Sequence, residues 1–172
     1  MEKCIESLLP GGDDVEILIV DDGSHDRTAE IADAYEKKYP GIIRAIHQEN
    51  GGHGEAVNAG IRNATGLYFK VVDSDDWVDL DAYRKILDKL REISGGDRVL
   101  DMFIANYVYE KEGVKHKKSH AMLQSPERPD IYLEGSRTFS QGTVYSHAFR
   151  DLPHEASGGV WAGTAETHLL CG

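Results

Sequence analysis

Two apolar runs of strand length each end in a cluster of aspartates, and that pairing constrains the fold more than anything else in the chain. Glu16-Ile17-Leu18-Ile19-Val20 leads into Asp21-Asp22-Gly23-Ser24. Leu67-Tyr68-Phe69-Lys70-Val71-Val72 leads into Asp73-Ser74-Asp75-Asp76-Trp77. A short continuous apolar run bounded by turn residues reads as a strand buried on both faces, as in a parallel sheet covered by helices. The intervening sequence supplies those helices. Residues 2–9 read as the end of a helix stopped by Pro10-Gly11-Gly12, and Asp26 or Ser24 caps a helix through about Lys38. Residues 42–46 read as a second strand, residues 55–63 and 80–93 as helices, and 102–109 with 114–118 as a hairpin around Glu112-Gly113. Strands alternating with helices imply an α/β fold with a mostly parallel sheet. Ligands bind such sheets at the carboxyl ends of the strands, so both acidic clusters fall where a ligand would sit.

The rest of the composition narrows the ligand. With 172 residues the chain can bury one sizeable core, and a formal charge of -11 excludes a nucleic-acid surface and disfavours anionic lipid. No stretch reaches the roughly 20 apolar residues of a membrane span and no signal peptide is evident, so a cytoplasmic protein is expected. Cys4 and Cys171 are too few and too far apart for a disulfide framework or a metal knuckle.

Asp73 and Asp75 share a face if their segment is extended, and two hard oxygen ligands there suit Mg²⁺ or Mn²⁺ with positions left for phosphate oxygens. Capping of the helix beginning near Asp79 explains one or two acids, not three in four positions. An EF-hand fits poorly, because Val78 and Arg84 stand where that loop needs Gly and Glu. Asn50-Gly51-Gly52-His53-Gly54 opens a helix and could cradle phosphate with backbone N–H groups. His116 and His120 lie in a Lys-rich hairpin and read as a solvated face.

The ordered motifs "EILIVDDGSHDRTAEIADAYEKKYP" and "IHQENGGHGEAVNAGIRNATGLYFKVVDSDDW" resemble the family 2 glycosyltransferases of GT-A (Rossmann-like) fold, over roughly residues 2–93. The resemblance implies a nucleotide-diphosphate sugar as donor, a divalent metal, Mn or Mg, and glycosyl transfer to an acceptor saccharide, lipid or protein. Carried over by position, Asp21 and Asp22 would contact the nucleotide base, with Asp21 the better placed. Asp73 would sit by the ribose and sugar-phosphate, and Asp75 would be the metal ligand of the D-x-D. Gly51, Gly52 and Asn58 belong to the matching loop and helix. Gly52-His53 stands where many members carry Lys or Arg, and no catalytic base is matched. The alternatives are a non-catalytic transferase fragment or a receiver-like Mg²⁺-binding signalling module. "ILIVDD" also opens receiver modules, but the D-x-D-D-W cluster fits them poorly.

Both ends depart from the family pattern. The first strand should precede the helix holding Cys4 and Ile5, so a central strand is expected to be missing. That would leave an exposed sheet edge prone to oligomerisation. The nucleotide-sugar-binding domain is assigned to residues 1–125 and an atypical, poorly ordered tail to 126–172. Read one base later, codons compatible with Tyr145 to Cys171 permit a string resembling the continuation of a bacterial subgroup. On that reading residues from about 130 to 172 are frameshifted translation, and the acceptor region with its base is absent. The coding DNA tests it.

Overall fold

A computed structural model describes residues 1–95, 102–105, 107–109, 118–120, 133–134, 146–148 and 161–166. Three of the expected strands form as read: β1 (Val15–Asp21), β2 (Ile43–His47) and β3 (Tyr68–Asp73). So do the helices α1 (Glu2–Leu8), α2 (Thr28–Lys38), α3 (His53–Asn63) and α4 (Leu80–Ser94). The later strands are β4 (Met102–Ala105), β5 (Tyr107–Tyr109), β6 (Lys118–His120), β7 (Leu133–Glu134), β8 (Ser146–Ala148) and β9 (Trp161–Glu166). The expected hairpin is found as the antiparallel pair β5–β6, whereas Met102–Ala105 leaves it to join the large sheet. The Glu112-Gly113 turn, His116 and Cys171 lie outside the described residues.

The apolar runs of β1 and β3 alternate between two cores, which is why they lack polar interruptions. Ile17, Ile19, Tyr68 and Val72 pack in a core with Cys4, Ile5 and Leu8 of α1, Ala32 of α2 and the inner face of α4. Leu18 and Phe69 pack on the opposite face with Ala64, Val57 and Ile61. The apolar stripe of α4 is Ala82, Tyr83, Ile86, Leu87 and Leu90, all buried. Removing side chains such as Ile86, Leu87 and Leu90 from water contributes about 2 kcal/mol each.

The large sheet has the order β2-β1-β9-β3-β8-β4-β7. β9 runs parallel to both β1 and β3, from Val15↔Trp161↔Tyr68 up to Glu166, which pairs with Val20 and Asp73. β8 is antiparallel to β3 and β4. A central strand was expected to be missing; β1 and β3 are joined at the centre of this sheet by a strand from the tail. Backbone N–H and C=O groups at the centre of a sheet need partners, and β9 supplies them on both sides. Among the described residues the outer strands of this sheet are β2 and β7, and β1 and β3 both pair with β9.

Between α1 and β1 the chain makes a 3-10 turn (Leu9–Asp14) that leaves no room at Gly11. A Cβ there would lie 2.5 Å from the Tyr83 hydroxyl and 2.7 Å from both Val15 methyls. Tyr83 is fully buried and donates to the Leu8 carbonyl at 3.1 Å, so it cannot swing aside. Gly11→Ala is expected to cost about 2 kcal/mol by overpacking. Urea denaturation should show a lower midpoint with an unchanged slope; an unchanged midpoint would contradict the packing argument.

Candidate functional site

β1 and β3 flank β9, so their carboxyl ends, one strand apart, are separated by about 10 Å at the usual interstrand spacing. Each end carries one of the acidic clusters. A nucleoside diphosphate is long enough to bridge them.

On the β1 side, Asp21 and Asp22 are both buried, at 4% and 3% exposure, yet serve different neighbours. One Asp21 oxygen, Oδ1, accepts from the Ser24 amide at 3.0 Å, and the other, Oδ2, lies 3.0 Å from His47 Nδ1. Burial alone would push the Asp21 carboxyl up. The hydrogen bonds from Ser24 and His47 outweigh it and hold the group below its ordinary value. Asp22 points to the glycine loop instead. Its Oδ1 accepts from Gln48 Nε2 at 2.6 Å and the Gly51 amide at 2.8 Å, and its Oδ2 from the Gly52 amide at 2.8 Å. The Gly51 and Gly52 amides that the sequence offered to a phosphate thus face a carboxylate of the chain itself. Gly23 makes the turn possible: its φ is +74°, and a Cβ would meet the Asn50 nitrogen at 2.8 Å.

On the β3 side, Asp73 ends the strand, half-buried, and the Asp76 amide donates to the Asp73 carbonyl at 2.9 Å. Residues 73–76 are therefore a hydrogen-bonded turn rather than the extended segment assumed from the i, i+2 spacing, because the chain must reverse to start α4. Asp75 is exposed on that turn and Asp76 is buried. Asp79 is the helix cap, accepting from the Ala82 amide at 3.0 Å, so the three preceding aspartates are not needed for capping. The turn is held from α1. Lys3 Nζ lies 2.9 Å from the Trp77 ring centroid, and the Ser7 hydroxyl accepts from the Val78 amide at 3.1 Å.

Two groups went unread in the sequence. Lys70 points from β3 into the main core at 4% exposure. Burial pushes its ammonium down to about 8, against the opposing pull of Asp76 and Asp73. A lysine inside an apolar strand is the signal that marks it. His47, at the end of β2, lies between Asp21 and Asp33, with Nε2 3.0 Å from Asp33 Oδ1. Nothing in the sequence pairs them. Asn58 is exposed on α3, donating to Glu55 Oε2 at 3.3 Å beside an Arg62–Glu55 ion pair at 2.6 Å. His53 begins α3 and is exposed. Among the described residues no three His, Cys, Asp or Glu side chains converge as a metal cage, and no helix is long and apolar enough to cross a membrane.

The model of the family described as "Glycosyl transferase family 2" matches residues 1–150. The chain belongs to that family. A family 2 fold accounts for the mixed sheet with helices on both faces, the GT-A arrangement, and decides between the transferase and receiver readings of "ILIVDD". The match also runs past residue 125, into the segment read as tail.

Curated relatives match between about half and two thirds of this chain. The chain is 42% identical over 93 residues to the uncharacterized glycosyltransferase EpsJ of Bacillus subtilis (strain 168), covering 54% of this chain and 27% of that protein. It is 40% identical over 113 residues to the putative glycosyltransferase EpsH of the same organism, covering 65% and 31%. It is 38% identical over 91 residues to chondroitin synthase of Escherichia coli, covering 52% and 13%. The chain thus spans a third or less of the length of these relatives.

Proposed function

We propose that these two turns form the donor half of a glycosyltransferase site, which binds a nucleotide-diphosphate sugar and passes the sugar to an acceptor hydroxyl. The observation that carries this reading is the pair of aspartate-bearing turns at the ends of β1 and β3, either side of one strand. On the β1 turn, Asp21 keeps lone pairs for a base N–H, whereas the Asp22 oxygens are taken up by Gln48, Gly51 and Gly52. The base contact therefore falls to Asp21, and Asp22 acts by fixing the loop through Gly51 and Gly52. Asp73 is assigned to the ribose and sugar-phosphate, and Asn58 to the outer face of the helix that follows the loop.

A half-buried and an exposed carboxylate on one turn suit a hard cation completed by diphosphate oxygens. Asp75, with Asp73 beside it, would hold Mn²⁺ or Mg²⁺. Such an ion neutralises charge on the departing nucleoside diphosphate. The buried Lys70 lowers the cost of gathering aspartates at this point. Deprotonation of the acceptor needs a carboxylate base, which no described residue is assigned to provide.

Calorimetric titration with UDP and GDP, with and without Mn²⁺, tests the reading. Binding strengthened by Mn²⁺ is expected, and Asp75→Ala should lose the whole metal-dependent increment while keeping the melting temperature. Equal metal dependence in Asp75→Ala would remove that residue from the site.

A further inference from the structure

We propose that His47 is a positioning residue: as an imidazolium it clamps the base-contacting carboxylate Asp21, so that nucleotide affinity is linked to a proton on this ring. The inference rests on the donor-site reading of Asp21. Its own ground is the pairing of both ring nitrogens with carboxylates, Nδ1 with Asp21 and Nε2 with Asp33, each at 3.0 Å. A carboxylate oxygen only accepts, and a neutral imidazole carries one N–H. Only the doubly protonated ring satisfies both partners; loss of a proton leaves a lone pair facing a negative charge.

The clamp joins three elements: Asp21 ends β1, His47 ends β2 and Asp33 lies on α2. The Asp21 side chain is 6% exposed and that of His47 41%, so the ring exchanges protons with solvent while the carboxylate it steadies stays enclosed. Ser24 fixes the other Asp21 oxygen. With both oxygens held, their remaining lone pairs are aimed in advance at a donor such as the imide N–H of a pyrimidine base or the ring N–H of guanine.

Among the described residues the charged groups facing the ring are Asp21 from β1 and Asp33 from α2. Hydrogen bonds to Asp21 first and Asp33 second hold the imidazolium above its ordinary value, against the smaller effect of burial. The clamp is therefore intact below the ordinary histidine range and is lost as pH rises through the raised value.

The test measures the affinity of the full chain for the tighter of UDP and GDP, with Mn²⁺, between about pH 6 and 9. His47→Gln, which keeps a neutral donor, and Asp33→Asn, on the helix surface, are measured alongside. The ratio of affinities, native chain over His47→Gln, cancels titration of the nucleotide's own phosphate. That ratio is expected to fall by about fivefold across the range. In Asp33→Asn the midpoint of the fall should move to lower pH, which a merely structural role would not produce. NMR titration of the His47 ring should report the same two midpoints. A constant ratio, with both proteins binding nucleotide, overturns the clamp and leaves the donor-site reading intact. Failure of both nucleotides to bind at any pH overturns the donor-site reading and the clamp with it.

Discussion

Asp22→Ala is expected to lower stability by about 3 kcal/mol and to free the loop between β2 and α3. The carboxylate is 3% exposed and takes three hydrogen bonds, from Gln48, Gly51 and Gly52. Hydrogen bonds to a charged acceptor contribute about 1.5–3 kcal/mol each, and water reaching the exposed Gly51 recovers part of what is lost. Two backbone amides of a glycine-rich segment then have no internal partner. Hydrogen exchange at Gly51 and Gly52 should rise far more than in β1. Asp22→Asn keeps one acceptor oxygen and should fall between native and alanine. If the loop amides stay protected in Asp22→Ala, the loop is ordered by something other than this carboxylate.

Lys70→Met should cost about as much, for the opposite reason. The variant matches the shape of the buried stem but strips the cation from Asp76, which is 7% exposed, and from Asp73 at the end of the same strand. Removing one partner of a buried charge pair costs about 3–5 kcal/mol, because the other charge is left enclosed without compensation. Lys70→Met combined with Asp76→Leu should recover much of the loss, a coupling that chemical denaturation measures directly. A single variant as stable as the native chain would show that water already screens Asp76.

Most of the sheet's left half was legible from the sequence, because β1 and β3 are buried on both faces and carry unbroken apolar runs such as Ile17-Leu18-Ile19-Val20. The amphipathic period of α4 and the glycines around α3 were equally direct. Division of labour within the first cluster was not. Asp21 and Asp22 are adjacent and chemically identical; only the fold turns one toward His47 and the other toward Gly51. The i, i+2 argument for Asp73 and Asp75 failed because it assumed extended backbone where a turn was needed to enter α4. β9 escaped notice for a different reason. Trp161-Ala162-Gly163-Thr164-Ala165-Glu166 has neither an apolar run nor a strict alternation, and its place between β1 and β3 comes from backbone pairing rather than from side-chain pattern.

That placement has a consequence for assembly in time. The strand that joins the two halves of the ligand edge pairs Trp161 with Val15 and Tyr68, contacts between residues far apart in sequence. Closing so long a loop must precede any gain from the ladder, which makes it a slow step. On a ribosome the strands β1 and β3 emerge first and stay unjoined until the later segment carrying β9 has been made. For that interval their inner edges are open to pairing with any extended peptide, the kind of exposure that favours aggregation during synthesis.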